Sequence, residues 1–391
     1  MIKVLVVLGT RPEAIKLAPV IRGLQQHGRF SVTVCATSQH REMLDQALQV
    51  FGIRSDWDLG LMKAGQDLIH ITSAVLEGLR PVLAKLSPDW LLVQGDTTSA
   101  FAAALAAYYS HVAVGHVEAG LRTNDKRAPY PEEANRRAVA VLADAHFAPT
   151  AWARDNLLRE NIPAECIWVT GNTGIDALHH VIHRLSQDPE LSALASRRFQ
   201  FLDEGKRLIL LTAHRRESFG PAMEQICWAL RDIASARSDV QLVYPVHPNP
   251  NVRGPVERIL GKVQNSGSSA QRNLPAIGFL WLTEPLDYVS FVYLLQRAYC
   301  VVTDSGGVQE EAASLGKPVL ILRNLTERPE GVQAGVARTV GVERTRIVSS
   351  LSRLLDDNQE YGLMAAPTTA YGDGKASERI AQALADTPPG H

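Results

Sequence analysis

A chain of 391 residues with a formal net charge of −1 and 46% hydrophobic residues can hold two or three domains with sizeable cores, and it lacks the bulk field that draws nucleic acid or an anionic membrane. No apolar run reaches the length of a membrane span. The opening "MIKVLVVLGTRPEAIK" reads as a first strand entering a helix, not as a signal peptide. Cys35, Cys166, Cys227 and Cys300 are widely spaced, sit in apolar contexts and form no CxxC pair, so they read as reduced thiols of a cytoplasmic protein, without a disulfide frame or a metal site.

From the amino terminus, short β-branched runs alternate with longer helical stretches. "IKVLVVLG", "SVTVCAT", "DWLLVQG", "VAVGHVE", "AHFAPT" and "CIWVTG" are strand candidates within the first 171 residues. "RLILLTA", "DVQLVYPVH", "GFLWLT", "YCVVTD" and "PVLILR" follow. Continuous apolar runs bounded by turn residues suit parallel strands covered on both faces. Their alternation with helices of ten or more residues predicts α/β architecture, with two doubly wound Rossmann-like domains. The expected division is 1–171, with a carboxyl-terminal helix over 374–391 packing back on it, and 172–373. "NSGSSAQRN" (265–273) reads as a surface loop.

In open α/β sheets ligands bind beyond the carboxyl ends of strands, so the strand-to-helix junctions are where chemistry is expected. In "VVLGTRPEAIK", Thr10 and Glu13 have capping-box spacing and Pro12 suits a first helical turn. Capping explains neither Arg11 nor Lys16, because cations near a helix start oppose the dipole; both read as facing a ligand. The loop is not GxGxxG, so the nicotinamide-binding fingerprint is absent. In "LLVQGDTTSAF", Asp96 is either the N-cap of an alanine-rich helix or a functional carboxylate at a strand end.

The stretch "GHVEAGLRTNDKRAPYPEEANRR" holds Glu118, Glu132 and Glu133 among Arg122, Arg127, Arg136 and Arg137. Glu118 follows a strand, Gly120 permits a tight turn, and one of Glu132 and Glu133 is expected to serve only the helix dipole. Carboxylates in such company can be driven to different pKa values, which lets one site supply both acid and base. In "LLTAHRRESFG", His214 with Arg215 and Arg216 reads as an anion contact, and "YPVHPNP" places His247 similarly. In "VVTDSGGVQEEAASLGKPVLILR", Asp304 or Ser305 caps a helix, while Gly306 and Gly307 let a ligand approach the backbone. Free N–H groups there favour phosphate, and Glu310 and Glu311 can accept from ribose hydroxyls. With "LTERPEG" beyond the next strand, the pattern points to a sugar nucleotide.

Taken in order, "GTRPEAIK", "QGDTTSA", "GHVEAGLRT", "PEEANRR", "GNTGIDAL", "HRRESFG", "YPVHPNPNV", "TDSGGVQEEAASLGKPVLILR" and "ERPEG" resemble the non-hydrolysing UDP-N-acetylglucosamine 2-epimerases nearly end to end. The resemblance implies a glycosyltransferase-B-like fold with the active site in the interdomain cleft. It implies reversible conversion of UDP-GlcNAc to UDP-ManNAc for surface polysaccharide synthesis. It also implies a cytoplasmic homodimer that needs no cofactor and no metal and has no nucleic-acid or membrane partner.

Carried over residue by residue, the resemblance makes Asp96, Glu118, Glu132, His214 and Lys16 the catalytic set, with base and acid unassigned among the carboxylates. It gives Arg11 with His214 to the diphosphate, Arg136, Ser305, Gly306 and Gly307 to phosphate, Glu311 to the ribose and Phe291 to the uracil, and adds Arg328 of "ERPEG" to the substrate-binding set. Some bacterial members are activated by a second UDP-GlcNAc. Gln39, His40, Gln66, Arg215 and His247 match that site, while Gly65 stands where some regulated members carry Arg. The rival readings are a UDP-sugar glycosyltransferase of the same fold, which needs an acceptor, a hydrolysing epimerase, which releases ManNAc, a UDP-sugar sensor, which needs no carboxylates, and a 2-epimerase for a modified sugar such as a diacetamido uronic acid.

Overall fold

The computed structural model describes residues 1–37, 41–61, 66–263 and 276–387, the side chains of 41–43 excepted. The chain divides into two compact units, Met1–His179 with Tyr371–His391, and His180–Ala370. The first crossing therefore falls inside the helix Thr173–Gln187. The loop 265–273, Gln39, His40 and Gly65 lie outside the described residues.

The first unit is built on seven strands: β1 (Ile2–Leu8), β2 (Phe30–Ala36), β3 (Trp57–Asp58), β4 (Trp90–Gln94), β5 (Ala113–Val117), β6 (Ala145–Ala148) and β7 (Ile167–Val169). All pairings are parallel, in the order β3-β2-β1-β4-β5-β6-β7. Val4 to Leu8 and Trp90 to Gln94 are buried, as expected of strands covered on both faces. The helix Thr98–Tyr109 lies against this sheet on Ala102, Ala103, Ala104 and Ala107, all with no exposed surface. Small side chains allow that approach, and it reaches the end of β1: a Cβ at Gly9 would sit 2.8 Å from the Ser99 Cβ. The strand order reverses between β1 and β4, so their carboxyl ends form a switch point.

The terminal helix Ala376–Asp386 packs on the helix Arg11–His27 of this unit. Asp176 tethers it, accepting the Ser377 N–H at 2.8 Å and the Ser377 hydroxyl at 2.7 Å.

The second unit has six parallel strands: β8 (Arg207–Thr212), β9 (Val240–Pro245), β10 (Leu280–Thr283), β11 (Cys300–Thr303), β12 (Val319–Ile321) and β13 (Ala337–Thr339). Their order, β10-β9-β8-β11-β12-β13, repeats that of the first six strands of the other unit. β3 and β13 were not anticipated from the sequence. They span two and three residues, too few to carry a periodic signal. Among the described residues no helix is long and apolar enough to cross a membrane.

Candidate active site

The switch point of the first unit gathers most of the charged residues singled out above. The helix after β1 opens with a capping box: Thr10 is the N-cap, and the Glu13 side chain accepts from the N-cap backbone. Glu13 is buried and does more. One of its oxygens accepts the Gly9 N–H at 2.9 Å as well as that of Thr10, and the other accepts the Thr97 hydroxyl at 2.6 Å. Burial pushes the Glu13 carboxyl up, and these donors oppose it. One turn on, Lys16 reaches across to Glu118 and donates to its Oε2.

Glu118 follows β5 in the left-handed region, with φ 66°, a conformation that a non-glycine residue keeps only when its surroundings fix it. Lys16 and the Gln94 amide both donate to its Oε2. The next turn depends on Gly120, whose φ is 90° and where a Cβ would lie 2.2 Å from the Ala153 carbonyl oxygen.

Asp96 is not the helix cap. That role falls to Thr97, whose hydroxyl accepts the Ala100 N–H at 3.0 Å. The Asp96 carboxylate, 28% exposed, pairs instead with the buried Arg136. Glu132 and Glu133 differ, but neither is left to the helix dipole alone. Glu133 is fully buried and accepts the Thr123 and Asn124 N–H groups at 3.0 and 3.2 Å and the guanidiniums of Arg136 and Arg137. Glu132 opens the helix Glu132–Leu142, and its Oε2 is buried with no hydrogen-bond partner. Of the other arginines, Arg122 is clamped bidentately by Glu160 at 2.8 and 2.7 Å, Arg137 turns to Glu133, and Arg127 is exposed. Arg11 is the half-buried first residue of its helix.

In the second unit, Asp304 follows β11 fully buried, and its Oδ2 accepts the N–H groups of both His214 and Arg215 at 2.8 Å. Its Oδ1 lies 3.8 Å from His214 Nδ1. The His214 side chain keeps 39% of its surface, yet packing around the ring lowers its pKa, with the Asp304 charge opposing and Arg215 adding to the shift. His247 stacks on it, ring centroids 5.4 Å apart.

The helix Gly306–Ser314 starts at Ser305 with no side-chain cap, neither Asp304 nor Ser305 supplying one. The two glycines differ. A Cβ at Gly306 would lie 2.3 Å from the Arg328 guanidinium, whereas at Gly307 it would meet nothing within 4 Å. Close approach of a ligand is thus available at Gly307; at Gly306 the space is filled by Arg328. Glu310 is buried and accepts Arg328 Nε at 2.6 Å, so its carboxylate is engaged within the protein and not offered to ribose. Glu311 accepts the Tyr288 hydroxyl at 2.8 Å. Arg328 also pairs with Glu327, which holds Arg323 at 2.6 Å and lies 3.7 Å from Arg215. Phe291 is half-buried on the helix Tyr288–Arg297. Gln66 donates to the Leu61 carbonyl at 2.8 Å.

Sequence reading missed Gln94, Asn135 and His116, all buried at this site. For Gln94 and His116 the available signal was a polar residue inside an otherwise apolar strand, as in "LLVQG" and "VAVGHV"; Asn135, on a polar helix start, gave none. Among the described residues no group of three or more His, Cys, Asp or Glu is placed to hold a metal ion.

Two Rossmann-like units, with carboxylate–cation pairs beyond the strand ends of one and an uncapped glycine helix in the other, define an α/β enzyme of the glycosyltransferase-B-like class. A glycotransferase of kitacinnamycin shares this fold alone, at 12% identity and a TM-score of 0.62 over 98% of both chains. The family model described as UDP-N-acetylglucosamine 2-epimerase matches residues 22–385, and the chain belongs to that family. It is 53% identical to the UDP-N-acetylglucosamine 2-epimerase of Salmonella typhimurium (strain LT2) over 382 residues, 98% of each chain. The crystal structure of UDP-GlcNAc 2-epimerase from Neisseria meningitidis bound to UDP-GlcNAc matches it with a TM-score of 0.93 at 44% identity, over 99% of this chain and 100% of that one.

Proposed function

We propose that this chain interconverts UDP-GlcNAc and UDP-ManNAc by eliminating and re-adding UDP. The observation that carries the reading is the environment of Glu118: its Oε2 takes bonds from Lys16 and Gln94, one strand away from the Asp96–Arg136 pair. The unpartnered Glu132 oxygen adds a third carboxylate. Family membership supports the same substrate.

The chemistry requires this equipment. The C2 hydrogen has no adjacent carbonyl, so its direct removal would leave an unstabilised carbanion. When the C1–O bond to UDP breaks, positive charge at C1 makes that hydrogen acidic. A carboxylate takes the proton, and a 2-acetamidoglucal remains beside UDP. The diphosphate oxygen then adds back to C1 while a proton arrives on the opposite face of C2, so nothing is gained or lost overall. We assign Asp96, Glu118 and Glu132 to these transfers, with Lys16 orienting Glu118. Each general acid or base is worth about 100- to 10,000-fold. Stabilisation of the departing diphosphate by His214, Arg11, Arg136 and the N–H groups of Gly306 and Gly307 matters as much.

The finer reading is a cytoplasmic homodimer with a second UDP-GlcNAc as activator. The free cysteines, three of them buried, support a reducing compartment, and the stacking of His247 on His214 supports a link between activator and substrate. Proton NMR of UDP-GlcNAc with the protein in D2O tests the main reaction. UDP-ManNAc with deuterium at C2 in both sugars is expected. Free ManNAc with UDP would mean hydrolysis, and an unchanged spectrum would transfer the case to a modified-sugar epimerase or a glycosyltransferase awaiting its acceptor.

A further inference from the structure

The turn Gly95–Asp96–Thr97 is pinned at each residue by a buried side chain from a different element. His116 on β5 bonds through Nε2 to the Gly95 carbonyl at 2.8 Å. Asn135, on the helix Glu132–Leu142, donates Nδ2–H to the Asp96 carbonyl at 2.9 Å. Glu13, on the helix Arg11–His27, accepts the Thr97 hydroxyl at 2.6 Å. The three residues keep 0%, 9% and 2% of their surface. A carbonyl only accepts, so His116 carries its proton on Nε2, and its Nδ1 is left buried without a hydrogen-bond partner. Burying polar groups is costly unless each is bonded. Capping the following helix would need only the bond from Ala100 N–H to Thr97 Oγ1, so three such groups on one turn exceed what chain reversal requires.

The position of each pin along the chain gives the arrangement its sense. Glu13 lies one helical turn before Lys16, His116 lies two residues before Glu118, and Asn135 lies three residues after Glu132 and next to Arg136. Every pin thus stands on, or directly before the end of, the element that positions another charged group of the site.

We propose that Glu13, His116 and Asn135 are positioning residues that fix the Asp96 carboxylate against the frame bearing Lys16, Glu118 and Glu132. The proposal rests on the epimerase reading and deepens it: acid and base must address opposite faces of one carbon, and their separation has to be held through both half-reactions. None of the three touches the reacting atoms. A displacement of about 1 Å at a reacting group can cost about 100-fold in rate.

Paired variants test this. Thr97→Val removes the hydroxyl at constant shape and Thr97→Ser keeps it; His116→Met removes the donor and His116→Gln places an amide N–H near the same point. Rates are normalised to UDP-binding sites titrated by calorimetry, so unfolded protein does not count. The breaking variants are expected to lose about 10- to 100-fold in kcat with KM within about twofold, and the conservative variants to recover most of it. Asn135→Leu and Glu13→Gln should fall with the breaking group. The proposal is overturned if kcat per site stays at the wild-type value while only the melting temperature drops, or if Ser and Gln lose as much as Val and Met. The histidine pair decides the matter should Thr97→Val not fold. Absence of wild-type turnover would sink the epimerase reading together with this one, whereas normal wild-type turnover beside unaffected variants would sink this one alone.

Discussion

The two units arrange the charges beyond their strand ends in different ways. In the first, the three carboxylates assigned to proton transfer stand at the ends of their interactions: Glu118 with Lys16, Asp96 at the outer end of the chain that runs through Arg136 and Glu133 to Arg137, and Glu132 with an oxygen that bonds nothing. Asp96 keeps contact with solvent. In the second, Glu310, Arg328, Glu327, Arg323 and Glu217 form one continuous chain of ion pairs, most of it buried. A carboxylate that must give and take a proton needs a partner it can leave. A network that supports a backbone anion site must not rearrange, and completing every bond inside protein makes it stiff. On the proposed function, the carboxylates that would move protons are therefore loosely held, and the network behind the helix Gly306–Ser314 is closed.

The largest effect should come from the loosely paired side. Glu118→Gln, Asp96→Asn and Glu132→Gln are each expected to lower kcat by about 1,000-fold or more, equivalent to ~4 kcal/mol, while folding normally. Turnover by NMR and a thermal melt by circular dichroism measure both quantities. A variant with a near-normal rate would remove its residue from the proton path and weaken the contrast between the units. In the closed network the order of effects reverses. Arg328→Ala leaves Glu310 and Glu327 buried and short of a partner, and should cost about 3–5 kcal/mol in a urea titration. A loss below about 1 kcal/mol would show that the network can rearrange, and would return Arg328 to the status of a substrate ligand.

Stability against pH sharpens the comparison from another direction. His116 and His146 face each other across β5 and β6. Burial lowers their pKa values to about 4 and about 3, from an ordinary 6.5. Between pH 6.5 and those values the unfolded chain binds protons that the folded one refuses, so stability rises with pH and is lost on acidification, by up to about 1.4 kcal/mol per pH unit for each histidine. Glu13 and Asp176, raised by burial from ordinary values of 4.5 and 3.8, act in the opposite direction above those values. The difference between wild type and His146→Met isolates the histidine contribution. Denaturant titrations at pH 7, 6 and 5 should show a smaller loss in the variant; parallel curves would mean that His146 takes up its proton as readily in the fold as in the unfolded chain.

Much of this organisation was legible in the sequence, for a physical reason. Strands buried on both faces leave continuous apolar runs, and the junctions that follow them have few structural reasons to be charged, so Glu118 and Asp96 stood out. The capping box at Thr10 and Glu13 was also legible, because it is local. What could not be read was pairing over distance. Nothing near Glu310 says that Arg328 will claim it, and nothing near Gly306 says that its missing side chain makes room for that same guanidinium. The third bond of Glu13, to Thr97, spans 84 residues and hides behind a complete local explanation.

The two glycines that open the helix Gly306–Ser314 give the smallest effect and the cleanest separation. At Gly306 an added methyl meets the Arg328 guanidinium, so Gly306→Ala should cost about 1–3 kcal/mol by overpacking the closed network. At Gly307 the methyl enters open space, and alanine is the better helix former by about 1 kcal/mol. Gly307→Ala should therefore melt no lower than wild type. Its penalty is reserved for a ligand: a phosphate resting on the N–H groups of Gly306 and Gly307 would meet the new methyl, and UDP affinity measured by calorimetry should fall about 10-fold, or ~1.4 kcal/mol. An unchanged affinity in a stable Gly307→Ala protein would mean that the anion does not rest on this helix start. Binding would then fall to the side chains around His214 and Arg215, and the closed network would be supporting a helix that meets no ligand.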